Sequence, residues 1–206
     1  MRLLLPLLLV PALCAQAPVA SLETPLSGAE RTEALALLAQ ARAAFVKAQE
    51  GLSPAQRAWK ASPDRWSVDQ CAEHIAITEG LLAQGVVAKL LAGPRDPAKR
   101  ADMKFLDAKL VPMLQDRSFK AKAPEALTPT ARFKTPEATL AAFDQANDAL
   151  AEALRTSQVD WRGRVSPHPL LGALDAYQWT LLSAGHVLRH VEQMEEVKKS
   201  PGFPGN

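Results

Sequence analysis

Apolar residues recur along this chain at helical rather than strand spacing. Leu35, Leu38, Phe45 and Val46 mark one stripe of a helix over about 28–50. Ser27 with Glu30 three residues later is a capping-box pair at its start, and Gly51 closes it. A second stripe runs Val68, Cys71, Ile75, Leu82, Val86 and Leu90. It predicts a helix over about 68–91, opened by the Ser67/Gln70 box and stopped by Gly93-Pro94. Thr135-Pro136-Glu137 supplies an N-cap, a proline at N1 and a first-turn acid for a third helix over about 136–156. That helix carries Leu140, Phe143, Ala146, Leu150 and Leu154 on one face. The fourth, about 173–198, follows Ala173, Tyr177, Leu181 and Leu182 and ends in lysines and Ser200-Pro201. No run alternates convincingly with period two, so no strand is predicted.

The connections complete the architecture. SPAQRAWKASPDRW, with prolines at 54 and 63, reads as a short helix and a loop. Residues 93–135 are rich in proline and lysine, with one short helical stretch, MKFLDAKLVPML, expected to stop at Pro112. This is a long crossover between helices two and three, or alternatively a mobile insertion without a role. The fold class is therefore all-α, a four-helix bundle over 27–198 with a long crossover connection between its second and third helices. Residues 18–26 read as a flexible lead-in and 199–206 as a C-terminal tail.

The N-terminus stands apart from this pattern. MRLLLPLLLVPALCAQA has one cation, Arg2, then an apolar run from Leu3 to about Ala15, then small residues. That is the layout of a secretory signal peptide over 1–17, with cleavage expected near Ala17 and a periplasmic or secreted destination. The alternative is an uncleaved anchor, although the run falls short of the about 20 apolar residues that span a bilayer. Leu13 before Cys14 disfavours lipidation. Cleavage lowers the net charge of +2 by one, since Arg2 leaves and no acid does. Such a balance offers no field for nucleic acid or acidic lipid. It also leaves Cys71 as the sole cysteine, with no internal disulfide.

The chain has four histidines, and two of them, His186 and His190, stand four apart in SAGHVLRHVEQM, residues 183–194. Residues at that spacing share a helix face one turn apart. The stripe continues through Trp179, Leu182 and Gln193, so the pair is expected to face the bundle interior. His74 on helix two shares a face with Cys71, Thr78 and Leu81. If helices two and four are neighbours, the three imidazoles form one set suited to zinc, nickel or iron(II), with coordination positions open to water. Surface histidines or hydrogen-bonded core histidines are the competing reading. No glutamate follows His186, so the H-E-x-x-H metalloprotease pattern is absent.

The stretches RWSVDQCAEHIAITEG and HPLLGALDAYQWTLLSAGHVLRHVEQM (168–194) resemble the two halves of the DinB-like (DinB/YfiT) superfamily signature. In that family a His-Pro plus glycine precedes the last helix, whose H-x-x-x-H supplies two metal ligands. The tryptophan-serine helix supplies the third. The resemblance implies His74, His186 and His190 as metal ligands, a four-helix bundle that is often dimeric, and a small-molecule substrate. Members include metal-dependent hydrolase-like proteins and transferases that use low-molecular-weight thiols. The signal peptide departs from the mostly cytoplasmic family, and an exported copy would not meet a cytosolic thiol.

Other residues receive lesser expectations. His168 structures its turn or lines the pocket mouth. Cys71 is a buried core cysteine. Trp66, Trp161 and Trp179 are packing residues, and Glu73 and Glu192 point away from the ligands. With no general base in view, three functions remain: a metal-dependent hydrolase or transferase; a non-catalytic bundle stapled by metal or by hydrogen-bonded histidines, acting as a binding or stress-associated module; and, should the N-terminus stay on, a membrane-anchored interaction protein.

Overall fold

The computed structural model describes residues 23–118 and 122–205. The signal peptide expected over 1–17 lies outside them. Four long helical rods form the bundle: α1 (Gly28–Lys47), α3 (Val68–Gly80) with its continuation, α6 (Pro136–Thr156) and α7 (Ala176–Lys198). The local signals act as the sequence predicts. Ser27 Oγ accepts the Glu30 N–H at 3.2 Å while the Glu30 carboxylate accepts the Ser27 N–H at 2.7 Å. Ser67 and Gln70 repeat this reciprocal pairing at the head of α3, and Thr135 caps α6 with Pro136 at N1. A third box, Ser53 with Gln56, opens the five-residue α2 (Pro54–Ala58).

The rods pack in the order α1, α6, α3, α7, so that α3 and α7 are direct neighbours. Phe45 of α1 packs at a tilt against Phe143 of α6 with ring centroids 4.5 Å apart. The core continues through Ile75, Leu150, Leu154, Tyr177 and Met194, all essentially free of solvent.

Three features depart from the expected pattern. Gly172–Asp175 is a strand, not the start of the last helix, and pairs antiparallel with Val165–His168. Its turn is set by His168, whose Nδ1 accepts the N–H groups of Leu170 and Leu171 at 3.1 Å each, and by Gly172 at φ +80°. Four-residue strands are too short to register as an alternation. Asp175 then caps α7, accepting the Gln178 N–H at 2.8 Å. Second, the α3 rod widens into a π-helical stretch, Leu81–Val87, before α4 (Ala88–Ala92). Third, Pro112 does not stop the crossover helix, since α5 runs Asp107–Gln115 through it.

The described part of the crossover is packed rather than loose. It carries two 3₁₀ turns, Pro97–Asp102 and Glu125–Leu127, and α5 lies along α7. Gly185 makes that approach possible: a Cβ there would stand 2.8 Å from Leu114 Cδ1 and 3.5 Å from the Val111 backbone. The described part of the lead-in is also held, with Leu26 buried and Glu23 ion-paired to Arg164 at 2.9 Å. In the tail, Phe203 packs edge-on against Trp59 with centroids 5.5 Å apart.

Candidate metal centre

Because α3 and α7 lie side by side, the three histidines meet. One ligand-capable nitrogen from each of His74, His186 and His190 lies within 4.8 Å of the others. The ring centroids are 4.5 to 5.0 Å apart, and His74 Nε2 stands 3.1 Å from His186 Nε2. His74 is buried and the two α7 rings are half-buried.

The far side of each ring faces an oxygen. His74 Nδ1 is 2.8 Å from the Leu127 carbonyl, and His190 Nδ1 is 2.9 Å from Gln193 Oε1. Both oxygens only accept, so each Nδ1 carries the hydrogen and donates it. The Nε2 lone pairs of His74 and His190 are thereby left available. His186 Nδ1 lies 3.4 Å from Glu79 Oε1, and neither atom has a hydrogen-bond partner among the described residues. Burial, reinforced by the neighbouring imidazoles, holds His186 well below the usual histidine range and pushes His190 to about 3. Burial lowers His74 as well, against the opposing pull of its bond to Leu127. The rings are neutral at neutral pH, as metal ligation requires.

This donor set fits a divalent ion. Nitrogens bound tetrahedrally at about 2.0–2.1 Å to a shared ion stand about 3.3 Å apart, close to the His74–His186 spacing. Backing each ligand ring with an acceptor on its other nitrogen is the usual arrangement of histidine metal sites. The orphaned pair His186 Nδ1 and Glu79 Oε1 is the further sign, since buried polar atoms without partners are rare.

The surroundings contain residues that the sequence reading placed elsewhere. Trp66, expected only to pack, forms a wall of the site, with its ring centroid 4.8 Å from His74 and 6.2 Å from His190. Glu73 does point away from the three histidines, yet it is tied to them through the crossover. Its carboxylate accepts the backbone N–H groups of Thr130, Ala131 and Arg132 at 2.8 to 2.9 Å. This clamp holds the loop that follows Leu127, including Ala131 at φ +59°, a left-handed conformation that costs about 1–3 kcal/mol for a side-chain-bearing residue. The crossover thus supplies the carbonyl that orients His74. No periodicity or motif marks Leu127, because its contribution is a backbone atom.

Glu79 was legible in principle. The stripe Val68, Cys71, Ile75, Leu82 has a gap one turn after Ile75, and Glu79 fills it. Its side chain is 2% exposed, it accepts a hydrogen bond from Ser183, and burial pushes it up to about 8.

The remaining candidates fall away from the centre. His168 belongs to the hairpin turn. Cys71 is a buried core thiol that desolvation pushes to about 12. Glu192 accepts from Gln115 Nε2 at 3.1 Å, toward α5.

Comparison with known proteins agrees with this architecture. The family model of the DinB superfamily matches residues 37–194. The uncharacterized protein YuaE of Bacillus subtilis (strain 168) is 29% identical over 150 residues, spanning 73% of this chain and 88% of that one. Among solved structures, YfiT from Bacillus subtilis, described as a probable metal-dependent hydrolase with an unusual four-helix bundle topology, superposes with a TM-score of 0.58. The two share 16% identity, with 87% of this chain and 91% of YfiT covered. The four-helix bundle protein TT2238 gives a TM-score of 0.49 at 20% identity, covering 81% of this chain and 98% of that one.

Proposed function

The chain belongs to the DinB superfamily, and from that premise we propose that it holds one divalent ion on His74, His186 and His190 and uses it in a hydrolytic or transfer reaction on a small molecule. The observation that carries this reading is the convergence of three neutral imidazoles whose outer nitrogens face acceptors. Zinc, nickel and iron(II) all suit that donor set. His74, His186 and His190 would hold the ion without neutralising it, and so bound it would supply Lewis acidity toward a substrate oxygen or thiol. The chain's own residues supply orientation and exclusion of water. The Leu127 carbonyl and Gln193 fix two rings, and Trp66 closes one side with an apolar face. Likeness to YfiT, itself described as a probable metal-dependent hydrolase, supports the reaction class.

A specific observation favours a second reading, a non-catalytic bundle in which the ion staples α3 to α7. Three carboxylates near the histidines are each held by other groups: Glu73 by the crossover backbone, Glu192 by Gln115, and Glu79 by Ser183. None is placed as a free general base.

Metal analysis of untagged protein tests what both ideas share, and activity assays separate them. The wild type is expected to carry one divalent ion per chain, and His74→Ala and His186→Ala to carry none. A panel of small esters, amides and electrophiles is then tested with loaded and metal-free protein. Turnover only when loaded supports the enzyme, while turnover in the metal-free protein overturns it. A loaded protein that melts higher yet turns over nothing supports the staple. We propose further that the protein is exported, on the strength of the apolar run after Arg2. N-terminal sequencing of material from the cell envelope, beginning at Pro18, would support this.

A further inference from the structure

The three ligand rings are backed by different kinds of acceptor. His74 has a backbone carbonyl and His190 an amide oxygen, both neutral. His186 alone has a carboxylate, Glu79. The difference matters because three neutral imidazoles leave the charge of a divalent ion uncompensated in a half-buried site.

We infer that Glu79, held by Ser183, is the positioning residue that fixes His186 as a metal ligand and, in the carboxylate form that a bound cation would favour, supplies the counter-charge to the ion, an inference that rests on the metal reading above. Three facts of geometry support it. Glu79 Oε1 and His186 Nδ1 face each other at 3.4 Å, and neither has a hydrogen-bond partner among the described residues. The other carboxylate oxygen accepts from the Ser183 hydroxyl, so the group is steered from behind. Ser183 lies three residues before His186, on the same face of α7. A chain therefore runs from Ser183 through Glu79 and the imidazole to the ligating nitrogen. It crosses from α7 to α3 and back, so it also sets how the two rods sit around the ion.

With an ion bound, His186 Nδ1 would turn its hydrogen to Glu79 and leave Nε2 with its lone pair toward His74 and His190. An acidic acceptor makes the ring a stronger donor to the ion than a neutral one does. Burying an acidic group in an otherwise apolar stripe costs free energy, which the bond from Ser183 to one of its two oxygens offsets only in part. Its retention in the seam between α3 and α7 is explained by a cation on the far side of the imidazole.

The test is metal affinity, measured by competition of zinc with a chromophoric chelator, beside the visible absorption of the cobalt(II)-loaded protein. Glu79→Gln is expected to lower zinc affinity about 10–100-fold and to change the cobalt(II) spectrum. The metal-free variant should melt at the wild-type temperature or above it, because a buried acid has been removed. A merely structural Glu79 would show the reverse: a lower melting temperature with affinity and spectrum unchanged. Ser183→Ala is expected to weaken binding in the same direction by a smaller factor, and it decides the matter if Glu79→Gln does not fold. Wild-type affinity and spectrum in both variants would overturn the relay while leaving the three-histidine site intact. A wild type that binds neither zinc nor cobalt(II) would overturn both.

Discussion

Helix α7 carries two polar centres, and they are opposites. At its N-terminal end Arg162 is enclosed by three carboxylates. It donates to Glu30 at 2.8 Å, Asp107 at 2.7 Å and Asp175 at 3.2 Å, and its guanidinium lies 4.0 Å over the Tyr177 ring. The guanidinium edges are met, and Arg162 is held above its usual range because these carboxylates outweigh its desolvation. About 15 Å further along the same helix, three imidazoles present lone pairs to one another. The first centre ties α1, α5 and the hairpin to α7 through matched opposite charges. The second has capacity to spare. A buried polar cluster that closes on itself rigidifies a fold, whereas one that does not close marks where a ligand belongs.

The sharpest way to break this contrast is Arg162→Ala. It takes the closest cation from Glu30, Asp107 and the fully buried Asp175, and leaves Asp175 the more distant Arg100 at 3.8 Å. The expected loss is about 3–5 kcal/mol, the usual cost of removing one member of a buried ion pair, read from denaturant unfolding. Metal stoichiometry of the folded fraction should be unchanged. If the variant unfolds at the wild-type midpoint, the ion cluster is not what holds that end together. Chelation acts on the other centre and should come next in size. With free ion at a hundred times its dissociation constant, removal costs about 2.7 kcal/mol by mass action, seen as a lower melting temperature. In His186→Ala the chelator should have no effect, because the site is already gone. A chelator effect that survives in His186→Ala would place the stabilising ion elsewhere.

The two centres were also unequally legible in the sequence. The histidine set could be read because helix periodicity converts His186 and His190 into one face, and a capping box fixes where α3 starts and so where His74 points. The four rods followed from the same periodicity and caps, to within a few residues at their ends. The Arg162 cluster could not be read. Its members come from α1, the crossover, a loop and a strand, and only tertiary packing brings Glu30, Asp107, Arg162 and Asp175 together. The hairpin was hidden for a related reason: its strands have four residues each, and its turn is set by a histidine side chain bonding its own backbone. The persistence of α5 through Pro112 is likewise a tertiary effect, since packing along α7 at Gly185 favours a helix that local propensity would end.

Glu73 tests whether the distinction between a closed centre and an open one is complete. It is closed, with three backbone donors on one carboxylate, yet it lies next to His74 in sequence and governs the loop that carries Leu127. Charge-assisted bonds to backbone N–H groups are roughly twice as strong as neutral ones. Glu73→Gln keeps the size but turns an N–H₂ toward donors, so at least one backbone N–H loses its acceptor. The expected stability loss is small, about 1–3 kcal/mol for a buried donor left unmet. The informative readout is local. Amide exchange of residues 130–132 should rise well above that of α6, and zinc affinity should fall about tenfold as the Leu127 carbonyl loosens from His74. A variant with faster exchange but unaltered affinity would show that the crossover covers the site without shaping it. The smallest effect in the series is thus the one that decides whether the two centres are separate, or whether part of the closed scaffold exists to aim the open one.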